Sequence, residues 1–204
     1  MSKDYSQHGE QKIITDYLSP CGCSDGSRRL LDIGAWVPDT FSNTRALLDA
    51  GWSGTLVEPS PGPFTALLDH YRENSRITLV NTVVAAYDGW CKFWDSKGDA
   101  ISSIDMEHVS RWREGFKVPY RDFWTMGVSP ATLVGRVGTD FEFVNIDAEA
   151  VSAAIFMLMP WHQLNKCRCI CVEHDNAIID LVNKANDHGF KVLDQNGENI
   201  IFGR

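Results

Sequence analysis

The sequence predicts an α/β protein, a parallel sheet covered by helices on both faces. Three observations carry that prediction. Short apolar runs alternate with stretches in which apolar residues recur at helical spacing. The first run, Leu30–Ile33, contains an acidic residue and ends on a glycine, as the first strand of a nucleotide-binding sheet does. The segment Phe190–Gly203 reads as a closing hairpin around Asn196-Gly197, which adds one antiparallel strand.

Taken in order, "SRRLLDIG" predicts a strand ending at Gly34, and "SNTRALLDAG" a helix with Ser42 as its N-cap and Gly51 just past its end. "GTLVEPS" is a second strand. "PFTALLDHYREN" carries Phe64, Leu67, Leu68 and Tyr71 on one helical stripe, with Pro63 suited to the first turn. "RITLVNTVVAAYDG" is a third strand and its continuation, "FEFVNIDAE" a fourth strand, and "AVSAAIFMLM" an apolar helix that Pro160 stops. "CRCICVEHD" is a fifth strand, followed by the helix "NAIIDLVNKANDHG" between Asp175 and Gly189.

The alternation is interrupted at about 87–138, where "WCKFWD" and "YRDFWTMGV" read as strands, "DMEHVSRWREG" as a short helix, and "SPATLVGRVG" as a helix opened by Ser129 and Pro130. This stretch is expected to be an insertion over the ligand end of the sheet. It holds four of the seven tryptophans, Trp90, Trp94, Trp112 and Trp124; core packing is the expected use of most of them and a pocket wall the alternative. The organisation expected is a single domain over 1–204 with an N-terminal helical segment, 1–28.

At 204 residues the chain is long enough for one sizeable domain and short for two, and its formal net charge of −8 lacks the electrostatic footprint of a nucleic-acid binder. No apolar run reaches membrane-spanning length, and the polar start "MSKDYSQHGEQKII" has no hydrophobic signal core, so the expected setting is the cytoplasm, with neither membrane nor nucleic acid as partner. The six cysteines are then expected to be reduced. Cys167, Cys169 and Cys171 alternate and should share a strand face as small apolar residues rather than close around a metal. Cys21-Gly22-Cys23 lacks the second pair a structural zinc site needs, so no metal is expected.

In sheets of this kind ligands bind beyond the carboxyl ends of the strands. The turn after the first strand aims backbone N–H groups at an anion, but the G-x-G-x-x-G of a dinucleotide site is absent. Trp36, Val37 and Pro38 stand where the further glycines would be, and Pro38 has no N–H, so a pyrophosphate is poorly served. Glu58, at the end of the second strand, suits the two hydroxyls of a ribose. A nucleoside without phosphates attached to an amino acid meets both conditions, and S-adenosylmethionine is such a molecule. A nicotinamide oxidoreductase is disfavoured by the missing glycines.

The stretch "LLDIGAWVPDTFSNTRALLDAGWSGTLVEPSP" resembles the first two motifs of the FkbM methyltransferases, a class I S-adenosylmethionine-dependent family. The likeness rests on Asp32-Ile33-Gly34-Ala35, Ser42-Asn43-Thr44, Gly51-Trp52 and Val57-Glu58-Pro59. It continues through Ser102-Ser103, "VNIDAEA" and "VEHD", and so covers the chain from Leu30 onward. One departure is local: Ala150 stands where the family has glycine, followed by Val151 and Ser152 in place of the usual acidic partner. The resemblance implies a Rossmann-like three-layer α/β sandwich whose mostly parallel seven-stranded sheet has its last strand antiparallel. It also implies O-methylation of a hydroxyl on a small-molecule or glycan acceptor. A methyltransferase-fold binding module without catalysis is the second reading, and Ala150 is the feature that supports it.

The residues expected to hold the cofactor are Asp32, Gly34, Ala35, Asn43, Thr44, Glu58 and Asn81. Asp32 contacts it directly or shapes the loop, Asn43 and Thr44 meet the methionine carboxylate or cap the helix, and Asn81 lies near the adenine. Asp147, Glu149 and His174 are the expected catalytic residues. The two carboxylates either face the cleft or cap the next helix. His174, between Glu173 and Asp175, is either a general base or structural. His108 and His162 have no comparable context.

Overall fold

The computed structural model describes residues 3–19 and 28–204. The N-terminal helix α1 (Glu10–Leu18) precedes a repeating series: β1 (Arg29–Ile33), α2 (Arg45–Asp49), β2 (Ser53–Val57), α3 (Pro61–Tyr71) and β3 (Ile77–Val80). A second series follows: β4 (Val83–Val84), β5 (Gly89–Asp95), α4 (Met106–Phe116), β6 (Arg121–Val128) and α5 (Pro130–Val137). The chain then returns to the main sheet with β7 (Phe143–Ile146), α6 (Ser152–Leu158), β8 (Cys169–Glu173), α7 (Ile178–Asp187), β9 (Lys191–Gln195) and β10 (Asn199–Gly203). Cys21 and Cys23 lie outside the described residues.

The main sheet has seven strands in the order β3-β2-β1-β7-β8-β10-β9. β10, the last in sequence, pairs antiparallel with both its neighbours, and the pairs β1–β2, β1–β7, β2–β3 and β7–β8 are parallel. This is the Rossmann-like arrangement expected, and the reversal of strand order between β1 and β7 opens a crevice at their carboxyl ends.

Strand alternation assigns the two faces. Leu31, Ile33, Val144, Ile146, Ile170 and Val172 are buried in one cluster with Leu133 and Val134 of α5, Ile155 and Phe156 of α6, and Leu181 of α7. Leu30, Phe143, Cys169, Cys171 and Ile201 are buried in the other with Ile14 and Leu18 of α1, Leu47 and Leu48 of α2, and Leu67 of α3. The result is three layers. Cys167 precedes β8 and packs in the first cluster, so it does not share the face of Cys169 and Cys171 as the spacing had suggested. All three thiols are free and buried, and burial pushes their pKa upward.

α1 is fastened to the far end of the chain by one carboxylate. Glu10, 1% exposed, accepts from Asn196 Nδ2 at 2.7 Å and Asn199 Nδ2 at 2.8 Å, and from the N–H of His8 at 2.8 Å. Burial alone raises the pKa of Glu10, but these donors outweigh it and hold the group below its usual value. The β9–β10 connection is not closed by a left-handed glycine; the Asn196 side-chain oxygen closes it, accepting from the N–H groups of Glu198 and Asn199.

β4, β6 and β5 form a separate three-stranded sheet. Its inner side buries Val83, Cys91 and Phe93. In the β5–β6 register Trp90 lies beside Met126 and Lys92 beside Trp124, and Trp90 and Trp124 are each 64% exposed. The expectation of core packing therefore fails for these two, because the small sheet has only one covered face. Trp94 and Trp112 are half-buried. No helix among the described residues is long and apolar enough to cross a membrane.

Candidate active site

The register of the sheet places the candidate residues in rows. Ile33, Val57 and Ile146 lie side by side, with Val172 next to Ile146, as the last positions of the parallel pairs that join β2, β1, β7 and β8. One residue further along each strand stand Gly34, Glu58, Asp147 and Glu173. One row earlier, Asp32, Asn145 and Cys171 are neighbours on the α1–α2 side of the sheet.

Gly34 is required at its position. Its φ is +83°, and a Cβ there would come 1.7 Å from the carbonyl oxygen of Asp147. The N–H groups of Gly34 and Ala35 both donate to the Val57 carbonyl, at 2.9 and 3.1 Å, which binds the β1 turn to the end of β2. Glu58, 5% exposed, accepts from the Trp36 N–H through Oε2 at 2.9 Å and from the Ser60 N–H through Oε1 at 2.6 Å. A carboxylate offers about four acceptor sites, and the Ser60 side chain takes a share besides the two N–H groups, so Glu58 keeps room for at least one further hydroxyl. Burial pushes the Glu58 pKa up to about 7, against the pull of the two N–H donors. Asn81 is exposed and donates to the carbonyls of Glu58 and Pro59, so it fixes the loop that carries the glutamate.

These residues open on a first cavity, which encloses about 540 Å³ of empty space including its mouth. Gly34, Trp36, Glu58, Thr82 and Asp147 line it, and Phe93 and the segment from Asp99 to Ile104 close it from the second sheet. Trp36 Nε1 donates to the Gly98 carbonyl at 3.1 Å and ties that segment down. The lining holds Glu58, Asp99, Asp147 and Glu149 and no lysine or arginine among the described residues. A pyrophosphate would meet only negative charge there, whereas a sulfonium would be attracted.

Asp32, Asn43 and Thr44 are behind this cavity rather than on its wall. Asp32 accepts from Thr44 Oγ1 at 2.6 Å and Asn145 Nδ2 at 2.8 Å, and Asn43 Nδ2 donates to Asn145 Oδ1 at 3.2 Å. All four are buried. Asp32 therefore shapes the turn through Thr44; Thr44 stands at the N-cap of α2 but makes no side-chain cap hydrogen bond, and Asn43 turns to Asn145. Ser42 accepts from the Arg45 N–H, and α2 starts only at Arg45. Asn145 is the member of this network that sequence reasoning missed; its alignment with Asp32 becomes visible only with the strand register.

Beyond Asp147 the backbone is strained. Among the described residues eight non-glycine positions have positive φ, and six of these, Trp36, Phe41, Glu149, Ala150, Asp175 and Asn176, line one or other cavity. Such residues gather where a structure holds a site in shape. Ala150 has φ +70°, the left-handed conformation that glycine adopts freely, so the local backbone keeps that shape without the glycine. Ser103 Oγ donates to the Glu149 carbonyl at 2.7 Å, and Ser152, buried, donates to Glu173 at 2.8 Å while accepting the Ala148 N–H.

A second, wider cavity adjoins the first and shares Asp99, Ala100, Asp147 and Glu149 with it. Asp147 and Glu149 are therefore brought together on the wall between the two. Burial, then repulsion from neighbouring carboxylates, raises the pKa of both. His174 is not on either wall. It is 7% exposed, its Nδ1 accepts from the Asn176 N–H at 3.1 Å, and it braces the turn after β8. Asp175 does not cap α7 as its position suggested; it accepts from the Ala153 N–H at the start of α6. The histidine that does reach the second cavity is His108 of α4, 5% exposed, with Nε2 at 3.3 Å from the Ile101 carbonyl and 3.7 Å from Glu149 Oε2. Burial holds its imidazole below the usual range. Nothing in the local sequence marks it, since α4 comes to the site only because the second series folds back over the sheet.

The chain superposes on the crystal structure of methyltransferase FkbM from Methylobacillus flagellatus KT over 88% of its length, with a TM-score of 0.55 and 11% sequence identity. The fold is that of an FkbM methyltransferase. This chain spans 44% of that protein, a little under half its length. No family model matches the sequence, and no curated protein matches it. At that identity the FkbM-like fold is what the likeness establishes, and the chemistry has to be argued from the two cavities.

Proposed function

We propose that the chain is an S-adenosylmethionine-dependent methyltransferase that methylates a hydroxyl of a small-molecule or glycan acceptor. The observation that carries this reading is the pair of adjoining cavities with Asp147 and Glu149 on their common wall. The first suits an adenosyl sulfonium. Glu58 keeps acceptor capacity for a ribose hydroxyl, the Gly34 turn leaves room that any Cβ would fill, and among the described residues the lining carries no lysine or arginine to hold phosphates.

S-adenosylmethionine, when bound, supplies an electrophilic methyl group and leaves as a neutral thioether. The work of the protein is then mostly placement, since displacement requires the attacking oxygen in line behind the methyl. In this reading the attacking oxygen lies beside Asp147 and Glu149, on the wall common to both cavities, and their raised pKa values suit groups that accept a proton near neutral pH. His108, whose pKa burial lowers, stands 3.7 Å from Glu149 and is the next proton acceptor in reach. His174 supports the β8 turn and takes no proton in this scheme.

A thermal-shift comparison of S-adenosylmethionine, S-adenosylhomocysteine, NAD and ATP tests the reading. At a hundred times the dissociation constant, a ligand of the native state adds about 2.7 kcal/mol, or about 5–10 °C for a chain of this size. That shift is expected for the two adenosyl compounds alone. A response to NAD or ATP without one to S-adenosylhomocysteine would overturn it.

A further inference from the structure

The loop between β5 and α4 closes the first cavity, and it is fastened unevenly. Its base is well held. Trp94 and Ser103 exchange two backbone hydrogen bonds at 3.0 and 3.1 Å, the Ser96 N–H donates to Ser102 Oγ at 3.0 Å, and Tyr120 donates to the Ile101 carbonyl at 2.9 Å. The tip, residues 97–100, is different. Ser96 Oγ donates to the Asp99 carbonyl and the Ala100 N–H to the Asp99 side chain, and both bonds stay within the loop. Among the described residues one hydrogen bond joins the tip to the rest of the protein, from Trp36 Nε1 to the Gly98 carbonyl at 3.1 Å.

The tip is also loosely packed. Lys97 and Asp99 are exposed, and a Cβ placed on Gly98 would meet nothing within 4 Å. A segment held by so few contacts opens at low cost. Yet Asp99 and Ala100 line both cavities, so the position of the tip sets how far each is closed. Trp36, by contrast, is a fixed post. Its N–H donates to Glu58 at 2.9 Å, and its ring stacks on Phe41 with centres 5.8 Å apart. Its φ of +46° is a conformation that a bulky residue keeps only where its surroundings impose it. The residue that holds the tip is thus bonded to the carboxylate assigned to the ribose.

We propose that residues 96–102 form a lid over the first cavity and that Trp36 is its latch. The lid opens when the Trp36–Gly98 hydrogen bond is released, swinging on its serine-held base, and ligand enters and leaves through that opening. Trp36 is a positioning residue here. It sets the lid against Glu58 and, through Asp99 and Ala100, completes the wall shared by the two cavities. The identity of the ligand rests on the methyltransferase reading; the latch itself does not.

The latch is read without ligand, by NMR of the full chain, from the exchange of indole N–H protons with water. The Trp36 signal should exchange at least about tenfold more slowly than those of Trp90 and Trp124, which are each 64% exposed. Gly98→Ala strains the tip, where φ is +101°, without a clash, and should speed that exchange by about threefold or more. Exchange as fast as that of Trp90 and Trp124, or unmoved by Gly98→Ala, would overturn the latch. The lid is read by stopped-flow binding of S-adenosylhomocysteine. Trp36→Phe keeps a ring to stack on Phe41 and removes the donor. It and Gly98→Ala should each raise the association and dissociation rates together, by about threefold or more, while affinity changes less than either rate. A merely structural role would lower the unfolding temperature or move dissociation alone. Unchanged rates in both variants, or a change confined to dissociation, would overturn the lid, and Gly98→Ala decides the matter should Trp36→Phe fail to fold. No binding of S-adenosylhomocysteine to the parent chain would count against the methyltransferase reading, and the indole exchange rates would then decide the latch alone.

Discussion

Ala150→Gly isolates the strained corner of the site. At φ +70° the alanine Cβ crowds its own backbone, and an L-residue in this region costs about 1–2 kcal/mol. Glycine removes that cost but adds about 0.5–1 kcal/mol of chain entropy to the unfolded state. The difference favours the variant by about 0.5–1 kcal/mol. For a chain of this length that raises the unfolding midpoint by about 1–4 °C. The control is Ala66→Gly in the middle of α3, where no left-handed residue is involved and the same exchange should destabilise by about 1 kcal/mol. Scanning calorimetry of the two variants beside the parent gives the answer. If Ala150→Gly lowers the midpoint as Ala66→Gly does, residue 150 is not left-handed and the geometry described for Glu149 is wrong.

Gly34→Ala should be far more damaging, by about 4 kcal/mol or more, because its Cβ meets a backbone carbonyl that cannot swing aside; soluble variant that still binds S-adenosylhomocysteine would contradict this. Glu10→Ala leaves two asparagine side chains and the His8 N–H without their acceptor, so a loss of about 2–4 kcal/mol and faster hydrogen exchange across α1 are expected. Stability without cofactor should fall as the pH rises. The Glu58 pKa is about 7 in the folded chain against an ordinary 4.5, so its contribution is fully present below about pH 4.5 and is lost as the pH passes 7. Asp147 and Glu149 act in the same direction. The midpoint should drop by several degrees between pH 5.5 and 8.5, and by less in Glu58→Gln; a midpoint that climbs over that range would refute the assignment.

Much of the fold was legible because each element has one buried face. Alternation marks Leu30–Ile33 and Phe143–Ile146, helical spacing marks α3 and α7, and Gly51 and Gly189 stop helices in the left-handed conformation. Gly34 and Glu58 were legible as a site for a related reason: strand ends in such a sheet converge on one crevice. What escaped depends on pairs distant in sequence. Asp32 looks like a ligand contact until Asn145 and Thr44 are seen to occupy both its oxygens. His174 has acidic neighbours in sequence, yet its ring faces the turn amide of Asn176, whereas His108 reaches Glu149 across 41 positions through a helix folded over the sheet. Trp90 and Trp124 show the limit of composition, since a tryptophan on a three-stranded sheet is buried only if something covers that side.

The central claim is that Glu58 and the Gly34 turn bind the adenosyl group of S-adenosylmethionine. Calorimetric titration of S-adenosylhomocysteine into the parent chain and into Glu58→Gln tests it most directly. One site per chain is predicted for the parent, with affinity reduced about 10–100-fold in the variant, the scale of hydrogen bonds to a charged carboxylate. Equal affinity in the two, or no binding to the parent chain at all, would contradict it.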